Sequence, residues 1–188
     1  MGDWVWDGGR PSIDLLNTVR ERVSHPRETL RTPDDLARWL SEAELLDAGE
    51  PDAADLTAAR RLRTAIDALA FSSPSEDDVA VVNAMAAEAP RGPRLAMRAG
   101  RVVAAPPEWS ARGALGRIAV DAIDLLTGDE LLRVCAADDC GVRFADRSPA
   151  RNRQWCSMRR CGNRMKARRH YAGTSRPGRA ERGAGYSG

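Results

Sequence analysis

Along most of the first 130 residues, apolar side chains recur at helical spacing, and each stripe begins and ends at recognisable punctuation. Trp4, Val5 and Trp6, ahead of Gly8 and Gly9, read as a short apolar strand or staple. Ser12 then serves as a cap for a helix that turns Ile13, Leu16 and Val19 inward and leaves Asp14, Asn17 and Thr18 on a neighbouring polar strip. Thr32-Pro33-Asp34-Asp35 has the form of a capping box and opens a second stripe through Leu36, Trp39, Leu40 and Ala43, closed at Gly49. A third runs from Asp52 or Ala53 through Leu56, Ala59, Leu62, Ile66 and Leu69. Arg60, Arg61 and Arg63 lie on the same helix as a small cluster, most simply a solvated face. Ser75 caps a shorter helix through Val79, Val82 and Ala86.

Pro90-Arg91-Gly92-Pro93 interrupts the helical rhythm. Leu95 to Arg98 and Val102 to Ala104, around Ala99-Gly100, read as a β-hairpin forming an arm on a helical body. The longest stripe follows, through Leu115, Ile118, Ala119, Ala122, Leu125 and Leu126 to Gly128. From there the pattern changes. Leu131, Leu132 and Val134 predict a strand, with Val142 and Phe144 on its return. Ser157 predicts the cap of a helix over 158–171, with Met158, Cys161 and Met165 inside and Arg159, Asn163, Ala167 and His170 outside. Beyond Tyr171 the chain is rich in Gly, Ser, Arg and Pro without apolar period and is expected to be disordered. The expected fold is α+β and mainly helical: a helical amino-terminal domain with a β-hairpin (1–129), a small treble-clef-like four-cysteine finger (130–173) and a basic tail (174–188).

All four cysteines fall in that second unit. Cys135-x4-Cys140 and Cys156-x4-Cys161, fifteen residues apart, have the layout of a tetrahedral zinc site with two ligands per knuckle, and Gly141 and Gly162 follow a ligand in each knuckle. Four thiolates close the coordination sphere, so one structural Zn2+ is expected and no metal-centred hydrolysis. Two disulfides, four unrelated core cysteines or an iron–sulfur cluster are the competing readings. The absence of any cysteine from residues 1–134 speaks against chance clustering.

Charge sharpens the division. The net charge of +2 conceals residues 1–132, with 15 basic and 23 acidic groups, against 133–188, with 14 basic and 4 acidic. The carboxy-terminal part, at +10, is the anion binder. Only Lys166 is a lysine; arginine favours bidentate contacts with phosphate and guanine, although a GC-rich genome alone would enrich it throughout. No apolar run reaches the roughly 20 residues of a membrane span, and MGDWVWDGGR lacks a signal-peptide core, so a cytoplasmic protein is expected.

Trp155-Cys156-Ser157-Met158 followed by Cys161-Gly162-Asn163-Arg164 resembles the signature of the CGNR zinc-finger family of bacterial proteins, regarded as transcription regulators. Gly9-Arg10-Pro11-Ser12-Ile13-Asp14-Leu15-Leu16-Asn17-Thr18 resembles the opening motif of the ABATE or stress-induced regulator domain that precedes such fingers, with Arg10 where a His or similar residue would be expected. The resemblance implies a DNA-binding regulator whose finger presents Arg159, Arg160, Asn163, Arg164, Lys166, Arg168 and Arg169 to duplex DNA. Asn163 and Arg164, beside a ligand cysteine, could equally brace the knuckle. The upstream domain would sense a small molecule or form a homodimer. Asp14, Asn17 and Thr18 are the candidate ligand pocket, with a buried network satisfying the backbone as the simpler reading. The alternative function is a zinc-dependent module for RNA or a protein partner; the scarcity of stacking aromatics disfavours single-stranded RNA. With only His25 and His170, no cysteine outside the metal set and no phosphate loop, the sequence holds no catalytic constellation, and an enzyme is not expected.

Overall fold

The computed structural model describes residues 4–46, 49–90, 95–104 and 110–174, with the backbone alone at 169 and 172–174. Among these residues, six α-helices and three two-stranded antiparallel ribbons follow in the order α1 (Pro11–Leu16), β1 (Val19–Arg20), β2 (Arg27–Glu28), α2 (Pro33–Glu42), α3 (Ala53–Phe71), α4 (Glu76–Ala86), β3 (Leu95–Arg98), β4 (Arg101–Ala104), α5 (Ala111–Thr127), β5 (Leu131–Val134), β6 (Arg143–Asp146) and α6 (Asn163–Thr174). The expected α+β, mainly helical class with a four-cysteine finger is what forms.

Capping chemistry sets the helix starts. Thr32 and Asp35 exchange hydrogen bonds across the first turn of α2, and Asp52 and Asp55 do the same for α3. Ser75 and Ser110 accept from the third residue of α4 and α5. The apolar stripes of α1, α2, α3 and α5 then close one core around Leu15, Leu16, Trp39, Leu40, Leu62, Ile66, Leu115 and Ile118, each fully enclosed. Helix α4 packs against both α3 and α5, which also touch each other, while α1 touches α3, α5 and strand β6.

Four expectations need correction. Ser12 does not cap α1: the helix starts at Pro11, with Arg10 at its cap position, and the Ser12 hydroxyl is donated to Asp121 at 2.5 Å. Proline at the first turn fixes the entry without a side-chain cap. The helix also ends at Leu16, so Asn17 and Thr18 lie at its exit and Val19 enters the β1–β2 ribbon, which no alternation in the sequence announces. Helix α2 stops at Glu42, well before Gly49, where Ala43 and Glu44 turn the chain. The Arg60–Arg63 cluster is no uniformly solvated face. Arg63 is 7% exposed and pairs with Glu28 at 2.5 Å and the Thr18 hydroxyl at 2.8 Å, while Arg60 donates to the Leu30 carbonyl.

Candidate metal centre and basic helix

Strands β5 and β6 pair in register from Leu131 opposite Asp146 to Val134 opposite Arg143, so the ribbon delivers Cys135 at the end of one strand and Cys140 just before the other. Gly141, with φ at +66°, makes the turn back into β6. A Cβ there would meet Val23 and Arg22 at 3.1 and 3.2 Å, so the first knuckle sits directly on the loop between β1 and β2. Asp146 shapes the next loop by accepting from Ser148 N–H and Oγ, Arg153 N–H and Arg133 Nε. Burial pushes its carboxyl up, but these four donors more than offset that and leave it at about 2.

The second knuckle opens on Ser157, whose hydroxyl accepts from Arg160 N–H as the sequence foresees. Residues Met158–Gly162 then form one over-wide turn, in which Gly162 and Asn163 donate five residues back to Ser157 and Met158. The extra residue rotates everything behind it by about 100° relative to a continuous α-helix. Cys161 and Met165 face the metal cluster as expected, but Met158 is 48% exposed and leaves the inner face. Its sulfur folds over Gly162, where a Cβ would meet it at 2.5 Å.

The four sulfurs lie within 4.8 Å of one another, three on buried cysteines and one on half-buried Cys140. Cys140 to Cys156 is 3.8 Å and Cys156 to Cys161 is 3.7 Å. A tetrahedron with metal–sulfur bonds of about 2.3 Å has edges of about 3.8 Å, so the spacing fits one tetrahedral zinc and is far too long for disulfides. As bare sulfurs the four could not all ionise. Its hydrogen bond with Cys156 chiefly pulls the Cys140 thiol down to about 5, that same contact drives Cys156 up, and burial with Cys140 pushes Cys161 up to about 12. A divalent cation at the centre removes this conflict by favouring every thiolate at once. Backbone N–H groups already aim at sulfur: Cys156 N–H reaches Cys135 Sγ at 3.4 Å, and Val142 donates to Cys140. The centre is that of a single structural Zn2+, its shell closed by four thiolates.

Its apolar surround is shared with the helical body. Val5, 1% exposed, packs among Ala137, Val142, Phe144 and Met165, and half-buried Trp155 lies against them. One residue earlier Trp4 enters the helical core, and one later Trp6 stacks on Trp39 with centroids 5.5 Å apart. A smaller cluster of Ile13, Leu125 and Ala145, with Leu132 beside it, ties α1 and α5 to β6.

The polar residues of the Gly9–Thr18 motif complete this junction. Asn17 gives Nδ2 to the Arg143 carbonyl and takes the Arg143 N–H on Oδ1, both at 2.9 Å, which reproduces a strand's hydrogen bonding on the outer edge of β6. Two residues along, Ala145 N–H donates to the Gly8 carbonyl at 2.9 Å. Gly8 N–H in turn donates to Asp14 Oδ1, also at 2.9 Å. Burial raises the Asp14 carboxyl to about 7; the Gly8 N–H acts against this, while the charges of Asp7 and Asp121 add to it. Arg10 spans Asp121 and Glu130, the last joining α5 to the finger. Arg143 and Arg22 both meet Asp67 on α3, at 2.6 and 3.2 Å. Thr18 gives its hydroxyl to the Leu15 carbonyl and receives Arg63. The polar atoms of Asn17 and Thr18 are thus taken up by protein groups. A depression of about 540 Å³ lies elsewhere, between α3, α4 and α5, lined by Ala58, Arg61, Asp77, Val81, Met85 and Arg112 among others.

On the finger's helical segment the seven DNA-contact candidates separate. Arg164 reaches Asp139 at 2.7 Å and Cys161 Sγ at 3.6 Å, so it clasps the first knuckle to the second. Arg168 joins Asp139 at 3.3 Å, and Arg160 meets Asp7 at 3.1 Å. Arg159, Asn163 and Lys166 are exposed, their side chains without a polar partner among the described residues. The side chain of Arg169 and the tail from 175 onward lie outside the described residues. Asp7 and Asp139 had escaped the sequence reading; the signal for Asp139 was an acid kept between two ligands of a strongly basic module.

The fold and its centre define a zinc-finger protein, a four-sulfur module built onto the side of a helical body. Residues 132–173 match the family model of the CGNR zinc finger, and residues 9–129 match that of ABATE, described as a putative stress-induced transcription regulator. The chain belongs to the ABATE family and carries a CGNR finger after that domain. No curated protein matches it. Among the described residues no helix is long and apolar enough to cross a membrane.

Proposed function

We propose that the protein is a DNA-binding transcription regulator in which the zinc-held finger presents a basic helix to duplex DNA and the helical domain senses a ligand or dimerises. The observation that carries this reading is the exposed face bearing Arg159, Asn163 and Lys166, whose side chains make no ion pair or hydrogen bond among the described residues, in a carboxy-terminal part (133–188) of net charge +10. When bound, zinc supplies the cross-link that lets two short knuckles hold a fixed shape. Cys161 fixes the turn, Arg164 and Asp139 lock the knuckles, and the over-wide turn aims the outward face. Arg160 and Arg168 sit in exposed ion pairs worth about 0–1 kcal/mol each, weak enough for phosphate to displace Asp7 or Asp139. The depression beside α4 gives an effector room, and the rigid junction gives it a route to the finger.

Anisotropy of labelled random-sequence duplex, compared with single-stranded RNA at several salt concentrations, tests the reading. Duplex binding should weaken steeply with salt, and Arg159→Ala with Lys166→Ala should lower the slope of log K against log salt by about 1.8. Indifference to duplex at low salt refutes the proposal, and preference for the RNA strand replaces it with the RNA-binding alternative.

A further inference from the structure

The basic helix is not the only candidate for a polyanion. Residues 91–107 carry Arg91, Arg94, Arg98 and Arg101 and no acid, inside residues 1–132, whose net charge is −8. The structure describes Leu95–Ala104 of this stretch as the β3–β4 hairpin, closed by Ala99 and Gly100 with φ of +49° and +73°, a two-residue turn of the kind that matches strand twist. Arg98 and Arg101 flank that turn directly opposite each other. Both are exposed, and neither has a partner among the described residues, whereas Arg10, Arg22, Arg63, Arg112 and Arg143 of the body and ribbon all meet carboxylates. Two like charges facing each other across a ladder destabilise it, a strain that an anion between them relieves.

The hairpin's other face is apolar and bare. Leu95, Met97 and Val102 are 80%, 65% and 65% exposed, and the pairs Leu95–Ala104 and Met97–Val102 place all four side chains on one side. We propose that this hairpin is a second DNA-contacting arm, its arginine tip on the phosphates and its apolar face against the sugar walls of the minor groove. Charge complementarity selects this partner. Cations combined with apolar side chains are what minor-groove binding uses, and a protein partner would more readily match the apolar face without the arginine pair.

This inference rests on the duplex-DNA reading above. The test uses the full zinc-loaded chain and a 40-base-pair random-sequence duplex. Arg98→Ala with Arg101→Ala should lower the salt slope by about 1.8 and the affinity about ten- to sixtyfold at 0.1 M salt, with zinc content unchanged. Removing the same charge at the start of α2, by Arg38→Ala on the helix with Arg31→Ala just before its cap, should leave the slope alone. Leu95→Ser with Met97→Ser should weaken binding at constant slope, and a minor-groove-filling dye on the duplex should reduce the parent to the level of the arginine variant. Parent binding with a slope untouched by the arginine pair overturns the arm and spares the finger. Parent indifference to duplex overturns both. A parent dimer dissociated by Leu95→Ser with Met97→Ser, with DNA affinity unaltered, makes the face a self-association surface and also overturns the arm.

Discussion

Asn17→Ala is the sharpest probe of the junction, because that side chain alone occupies both hydrogen-bonding groups of Arg143 on the outer edge of β6. Asn17 is 2% exposed, so the alanine variant leaves an N–H and a C=O with little access to water. Two lost hydrogen bonds cost about 1 kcal/mol each, and incomplete resolvation of the stranded groups adds about 1–2 kcal/mol in total, giving a loss of about 3–4 kcal/mol. Against a typical domain stability of about 5–15 kcal/mol this is a large fraction. Urea unfolding at fixed zinc, followed by circular dichroism and by Trp fluorescence, reads it. The parent should show one transition, because Val5, Ile13 and Ala145 weld the two parts, whereas the variant should separate into two, the finger melting first. Zinc transfer to a chelator should accelerate in step. A variant losing less than about 0.5 kcal/mol, with coincident transitions and unaltered zinc transfer, would refute the claim that Asn17 acts as a surrogate strand.

Other perturbations test neighbouring parts of the argument. Cys140→Ser should abolish stoichiometric zinc and, because Val5 belongs to the finger's core, loosen residues 4–8 as well as 131–171; hydrogen exchange protected at the parent level across both would contradict this. Asp14 is held near 7 when folded but has a carboxyl of ordinary acidity when unfolded. The native state therefore binds more protons between about pH 4 and 7, and stability should fall as pH rises through that window, by up to about 4 kcal/mol. Asp14→Asn should flatten this part of the pH–stability curve, and an equally steep curve in the variant would count against the assignment. Gly116→Ala places a Cβ 2.4 Å from the Ala89 backbone nitrogen, where no side chain can yield, so thermal unfolding should show a loss of about 1–3 kcal/mol or more.

What could be read in advance was whatever local chemistry decides. Thr32, Asp52 and Ser75 announced their helices because a cap acts within three residues, and the cysteine spacing announced the metal because a knuckle does too. Met158 was misplaced because helical phase was extrapolated through a turn that takes one residue more than the α-helix allows. Arg63 and Arg143 were opaque for a different reason: their partners, Glu28 and Asp67, lie 35 and 76 residues away, and the partnership is set by packing. For Asn17 the sequence justified a buried network but not its partner. An amide that mimics a strand looks, in one dimension, like any polar residue at a helix end.

The outer rim of the cysteine-bearing ribbon is sealed by one amide side chain and one glycine carbonyl borrowed from upstream. Excised alone, the module would bare the amides of Arg143 and Ala145 and the socket that Val5 fills. Such a fragment would hold its ion less tightly and invite edge-to-edge stacking with its own kind. A faithful transplant of this finger onto another scaffold must therefore carry the stretch from Trp4 to Thr18 along with the knuckles.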